Sequence, residues 1–223
     1  MIRFGFATDT YDCQGAPTGE PQECSLALEQ IRQLSKRFRG VVEQTPPPFS
    51  AKKIQGVPAY KLARKKKDIE LKPVKVEIKD FELCGLENSR VPFRARVASG
   101  TYIRSVAHDL GKLAGCGAHL ESLRRTAVAE FEITDAHTLE QVEIAAQSGE
   151  VEVLFVHPRQ LLPGLPAVTA TDDIVSRIRH GRAVNLPELS KAREVKVFYG
   201  QRDLIAISTR VAGTLFHSKI VFS

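Results

Sequence analysis

The stretch SGTYIRSVAHDLG, residues 99–111, carries an aromatic ring and a permanent cation two positions apart, Tyr102 and Arg104. It opens like the end of a strand and continues like a helix. Gly100 lets the backbone turn tightly or approach another group closely. Arg104 then falls in the first turn of the helix, where the macrodipole favours anions. A cation there needs another reason, and a buried carboxylate is the natural partner. Asp9 and Asp12, in the run TDTYD, can supply one from the first loop. The competing reading is an Arg104 that extends into solvent.

Two other clusters could do chemistry. KKIQGVPAYKLARKKK, residues 52–67, gathers Lys52, Lys53, Arg64, Lys65, Lys66 and Lys67 around Tyr60 and a glycine. Basic residues with an interleaved aromatic suit a phosphate backbone and a packed base. The same run also reads as a solvated helix face. GCGAHLESLRRTAVAEF sets Leu123, Arg124 and Arg125 before a strand. Adjacent arginines can bind phosphates bidentately, or pair at the surface with Glu121 and Glu130.

Other chemistries find no support in the residue pattern. The sequence has no glycine-rich phosphate loop and no H-E-x-x-H. Its serines and histidines are scattered, and nothing calls for a cofactor. Cys13, Cys24, Cys84 and Cys116 form no C-x-x-C pair, so no zinc site is expected. Cys116 and His119 have ligand-like spacing but lack a second pair.

The elements that must position these residues follow from periodicity. RFGFATDTYDCQGAPTGEP predicts a short strand and a polar loop. Leu26, Ile31, Leu34 and Phe38 mark one helical face that Gly40 stops. Pro46, Pro47 and Pro48 cannot continue a helix, so the chain is expected to cross the surface in extended form before a short basic helix. VKVEIKDFELCGLE and VPFRARVASGTYI alternate as antiparallel strands joined at Glu87 to Arg90. Val106, Leu110 and Leu113 form a helical stripe after Arg104. TAVAEFEI predicts one more strand, and TLEQVEIAAQSG a helix that glycine ends. HPRQLLPGLPAV, residues 157–168, reads as a linker. After it come a helix capped by Thr171 and three alternating strands with a hairpin at GQRD.

The chain has 223 residues, enough for one large domain or one medium and one small. Hydrophobic residues make up 43%, which supports a sizeable core and argues against general disorder. The net charge of +6 points to a polyanionic partner. No apolar run is long enough for a signal peptide or a membrane span. The expected setting is the cytoplasm, with reduced thiols.

Four ordered blocks resemble the TruB family of bacterial tRNA pseudouridine-55 synthases: GFATDTYDCQG, PPPFSAKKIQGVPAYKLAR, SGTYIRSVAHDLG and GCGAHLESLRRTAVAEF. With the tail LIAISTRVAGTLFHSKIVF, which resembles a C-terminal extension of some members, the resemblance covers nearly the whole chain. The resemblance implies an α+β fold with a mixed, largely antiparallel sheet and flanking helices. A catalytic domain over residues 1–156, a linker over 157–168 and a small β-rich PUA-type RNA-binding module over 169–223 are expected. It implies a cofactor-free isomerase, monomeric, whose partner is the T stem-loop of tRNA and whose target uridine is flipped out, detached from its sugar and reattached through carbon. By resemblance Tyr102 packs against the uracil and Leu123 lines the same pocket. Arg104 orients the catalytic aspartate, and Asp12 shares that arginine. The family's nucleophile lies in a G-x-L-D-x-x-A-x-G block, and the 223 residues contain no such block. The catalytic domain is therefore expected to be N-terminally incomplete and the chain inactive alone. A non-catalytic tRNA-binding or RNA-folding protein on the same scaffold is the alternative.

Overall fold

A computed structural model describes residues 1–54, 56–63, 71–189 and 191–222. The chain forms two compact units, Met1–Arg124 and Arg125–Ser223.

The first unit contains strands β1 (Ile2–Phe4), β2 (Gly40–Gln44), β3 (Lys53–Ile54), β4 (Val57–Pro58), β5 (Val74–Leu83), β6 (Arg90–Val91), β7 (Phe93–Val97) and β8 (Ala118–Leu120). Its helices are α1 (Leu28–Ser35), α2 (Ala59–Ala63) and α3 (Ile103–Ala114). Two three-stranded sheets, ordered β6-β1-β8 and β2-β5-β7, pair antiparallel throughout. Strand β5 alternates as expected of a half-buried strand, but a bulge between Ile78 and Asp80 shifts its register. Its inward set is therefore Val76 and Ile78, then Phe81 and Leu83, because one extra residue moves every later side chain to the other face.

One core joins these sheets to α1 and α3. Ile2, Phe4, Ile31, Ile78, Val106 and Leu110 are each at most 2% exposed. The expected face of α1 is present, with Leu26, Leu34 and Phe38 packed against this core. The stripe on α3 is shorter than expected: Val106 and Leu110 are buried, but Leu113 is 39% exposed. The end of α3 is set instead by glycine. Gly115, at φ +77°, closes the helix, and the chain returns at once into β8. A Cβ on Gly111 would lie only 2.0 Å from the Ala118 nitrogen, so helix and strand approach at a distance only glycine permits.

The three prolines do not cross an open surface. Pro46 and Pro47 are buried, as are Gln44 and Ser50 at the two ends of the segment. The physical reason lies at the site below, where the segment's carbonyls serve α3.

The second unit contains β9 (Ala127–Val128), β10 (Phe131–Glu132), α4 (Leu139–Ser148), β11 (Ala167–Ala170), α5 (Asp172–Arg179), β12 (Val184–Asn185), β13 (Glu194–Tyr199), β14 (Asp203–Ala212) and β15 (Leu215–Val221). TAVAEFEI is not one strand. Ala129 adopts φ +51°, and the run doubles back as the hairpin β9–β10. Helix α4 has a capping box: the Thr138 hydroxyl accepts from the Gln141 N–H, and the Gln141 amide oxygen accepts from the Thr138 N–H. Gly149 ends it at φ +74°.

The C-terminal part is β-rich, as expected. Its five strands run β11-β13-β14-β15-β12, and only the β11–β13 pair is parallel. Gly200, at φ +58°, turns β13 into β14 within GQRD. Thr171 occupies the N-cap of α5 without a capping bond from its side chain. Residues 157–168 are tied to this sheet. The Lys196 ammonium, 2% exposed, donates to the carbonyls of Arg159 and Leu161, and the Arg159 guanidinium donates to Thr169 Oγ1 and Gln201 O. The whole is an α+β fold with largely antiparallel sheets.

Candidate functional site

The site is built where the first loop, the end of β2 and the start of α3 converge. The loop that follows β1 is shaped by its own polar groups. Asp9 Oδ1 accepts from the Ala16 N–H, and Thr8 Oγ1 donates to the Asp12 carbonyl at 2.7 Å. Gly15 leaves no room for a side chain, since a Cβ there would fall 2.4 Å from Asp9 Oδ1. Asp12 and Cys13 then join Leu120 of β8.

Arg104 ties this loop to the proline segment. Its Nη1 lies 3.0 Å from Asp12 Oδ2, and its Nη2 donates to the Phe49 carbonyl at 3.0 Å. The guanidinium fork thus serves two chain segments at once, which a point charge cannot do. Asp12 Oδ1 also accepts from Thr10 Oγ1 at 2.7 Å and from the Gln14 N–H at 3.1 Å. Burial pushes the Asp12 carboxyl up. The bonds from Thr10 and Gln14, together with Arg104, outweigh it and hold the carboxyl below its usual value.

The helix start is clamped by a side chain that sequence reading did not single out. Gln44, 3% exposed at the end of β2, accepts from the Tyr102 N–H at 2.8 Å and donates to the Tyr102 carbonyl at 3.0 Å. Ser105 Oγ donates to the Thr45 carbonyl at 2.7 Å. These bonds explain why the proline segment is buried: its backbone supplies acceptors to α3. Tyr102 itself is the N-cap of α3 and is partly exposed.

The structure therefore brings Asp12, Tyr102 and Arg104 to one junction. Leu123 follows β8 by three residues and is 58% exposed. Arg124 and Arg125 are exposed, while Glu121 is engaged by Arg90 and Arg3 and Glu130 accepts from the Leu162 N–H. Lys52 and Tyr60 are partly exposed near the β3–β4 hairpin. Lys53 lies in β3, paired with Pro58. Arg64, Lys65, Lys66 and Lys67 lie outside the described residues. Among the described residues no group of three His, Cys, Asp or Glu could hold a metal ion, and no helix is long and apolar enough to cross a membrane.

This junction coincides with a family boundary. A model described as TruB family pseudouridylate synthase (N terminal domain) matches residues 1–103, and one described as tRNA pseudouridylate synthase B C-terminal domain matches residues 104–161. The tRNA pseudouridine synthase B of Solibacter usitatus is 41% identical, over 99% of this chain and 76% of that protein. The chain belongs to the TruB family. Another TruB relative, the tRNA pseudouridine synthase B of Aquifex aeolicus, is 36% identical over 99% of this chain and 76% of its own length. The TruB fold extends to a crystal structure of a Cbf5-Nop10-Gar1 complex, with a TM-score of 0.64 at 21% identity. That match covers 89% of this chain and 62% of the solved one.

Proposed function

We propose that this chain, when joined to a G-x-L-D-x-x-A-x-G segment that carries the nucleophile, isomerises uridine 55 in the T loop of tRNA to pseudouridine. The reading is carried by Arg104, which in the first turn of α3, two residues after the N-cap Tyr102, holds the Asp12 carboxylate. The reaction breaks the bond between the sugar and N1 of the base and forms one to C5, with a proton leaving C5 and N1 taking one up. It is redox-neutral and requires no cofactor. A base in a folded loop must first leave its stack. In this reading Tyr102 packs against the extruded uracil and Leu123 lines the pocket beside it. Arg104 orients the attacking carboxylate, and Asp12 fixes the arginine. Lys52, Lys53, Tyr60, Arg64, Lys65, Lys66, Lys67, Arg124 and Arg125 engage the RNA backbone. The C-terminal β-rich part serves as a PUA-type RNA-binding module, and the protein acts as a monomer.

The test is conversion of unmodified tRNA, with wild-type sequence compared to a substrate whose uridine 55 is cytidine. It is run on the 223-residue chain and on the same chain preceded by a G-x-L-D-x-x-A-x-G segment. Pseudouridine at position 55 with that segment present is the expected result. Tight tRNA binding with no product in either form would replace this reading with that of a non-catalytic RNA-binding protein.

A further inference from the structure

The first loop meets α3 at three consecutive residues, Thr10, Tyr11 and Asp12. Asp12 pairs with Arg104. Tyr11, immediately before it, lies flat on the His108 ring, with centroids 3.6 Å apart and planes inclined by 11°. Arg104 and His108 are four residues apart on α3, so their side chains rise from one face on successive turns. Neighbouring loop residues are thus gripped by neighbouring turns of one helix.

Ordinary packing does not account for the second grip. Tyr11 adopts φ +65°, in the left-handed region that bulky side chains avoid. Its N–H donates to the Thr8 carbonyl and its own carbonyl accepts from the Leu120 N–H. Both backbone groups are therefore spent on holding this conformation, which aims the ring at α3. His108 is 9% exposed, and its Nδ1 is buried without a hydrogen-bond partner among the described residues. An orphaned ring nitrogen is unfavourable. Two unfavourable features on opposite sides of one contact indicate a contact that the rest of the fold enforces. The groups around His108 are Tyr11 from the loop and Asp109 and Lys112 from its own helix. Burial, reinforced by Lys112, lowers His108 to about 4, so at neutral pH the stack joins two neutral rings.

We propose that the Tyr11–His108 stack is a positioning device that sets the register of the first loop against α3 and so presents Asp12 to Arg104. Tyr11 and His108 touch neither the reacting base nor the attacking carboxylate; they act through Asp12. The effect on turnover rests on the functional reading above, whereas the effect on the ion pair does not.

The ion pair is measured on the 223-residue chain, and turnover on the same chain preceded by the G-x-L-D-x-x-A-x-G segment. The Asp12 side-chain carboxyl is titrated by carbon-detected NMR, and exchange of the Arg104 guanidinium protons is followed in parallel. In Tyr11→Gly the left-handed backbone carries no strain, so the loop can keep its path while losing the ring. The Asp12 titration is expected to move up toward the ordinary carboxylate range, and Arg104 proton exchange to accelerate. His108→Ala, which leaves the loop sequence intact, is expected to give the same two shifts. Tyr11→Phe and His108→Phe preserve the stacked rings and should match wild type. Where turnover is measured, Tyr11→Gly should lower kcat by about a hundredfold, as for a misplacement of about 1 Å, with KM nearly unchanged. Wild-type Asp12 titration in Tyr11→Gly and His108→Ala would overturn the proposal, as would loss of the ion pair in Tyr11→Phe. Absence of product from wild type in every form would count against the functional reading alone, and the titration would still decide the stack.

Discussion

Replacing Arg104 by alanine removes three polar bonds from one side chain, and the one to a titrating partner can be separated from the others by pH. Hydrogen bonds to charged groups contribute about 1.5–3 kcal/mol each. Arg104 makes one to Asp12, one to the Phe49 carbonyl and a longer one, at 3.5 Å, to the Thr10 carbonyl. The Arg104 and Asp12 side chains are 27% and 21% exposed, so water weakens these bonds. A net loss of about 2–3 kcal/mol at neutral pH is expected once this screening is taken into account. The Asp12 part has a defined pH dependence. Its folded pKa lies below the unfolded value, so its stabilisation is present above the unfolded pKa and is lost as pH falls through the folded one. In wild type that loss occurs on acidification; in Arg104→Ala the share due to Arg104 is already gone, while the bonds from Thr10 and Gln14 remain. The gap between the two proteins should therefore narrow as pH falls through the folded Asp12 value, leaving the bonds to the Phe49 and Thr10 carbonyls. Arg104→Lys keeps the charge but not the fork, and should recover about 1 kcal/mol of stability without recovering turnover in the chain completed with the nucleophile segment. Urea unfolding across this pH range measures all three. A gap that does not change with pH would show that Asp12 contributes nothing through Arg104, and wild-type turnover in the lysine variant would remove the need for the fork.

Gly111→Ala would raise helix propensity by about 1 kcal/mol, yet the added methyl meets the Ala118 backbone at 2.0 Å; a net destabilisation of about 2 kcal/mol or more in urea is expected, and a stabilised variant would contradict the close approach of α3 and β8. His108 is lowered from 6.5 to about 4 by burial and then by Lys112, so below pH 6.5 the unfolded state binds more protons and stability falls until about pH 4 is reached. His108→Phe should flatten this segment of the stability profile, and an unchanged slope would assign it to other groups. Reversing Lys65, Lys66 and Lys67 to glutamate should weaken tRNA binding at every sequence, and each lost phosphate contact should flatten the dependence of log K on log salt by about 0.7–0.9. Filter binding at several salt concentrations would refute this if the slope stayed at its wild-type value.

The partition between what could be read from sequence and what could not follows the range of the interactions. Alternation marked β5, β7 and β13–β15, because each strand's pattern is local. The carboxylate partner of Arg104 was expected from the helix-dipole argument, and Asp12 occupies that position. Asp9 was an equal candidate, and only the loop's internal bond to Ala16 separates them. The failures are of two kinds. Ala129 and the β5 bulge are single-residue backbone choices that periodicity averages away. Leu113 was assigned inward by helical spacing, but which face of α3 is covered depends on how Gly111 lets β8 approach. Gln44 and His108 had no local signature at all. Each acts on a segment distant in sequence, Gln44 on Tyr102 and His108 on Tyr11.

Strand β1 sits between β6 and β8, pairing Ile2 with both Val91 and Leu120. A ribosome emits the residues of β1 long before either neighbour exists. The loop carrying Tyr11 and Asp12 cannot acquire its bond to Leu120 until β8 has cleared the exit tunnel, about 5–20 s later at ordinary synthesis rates. Until β6 emerges Ile2 and Phe4, destined for full burial, have no partner strand, and until β8 follows they have only one; they depend on holdase protection or transient collapse. Nascent chains stalled with β8 still inside the tunnel should accordingly leave the first loop open to protease, and chains stalled some forty residues later, as an order-of-magnitude allowance for the tunnel's reach at about 3.3 Å per extended residue, should protect it. Completion of the site is thus a timed event in translation, set by the strand order of one small sheet.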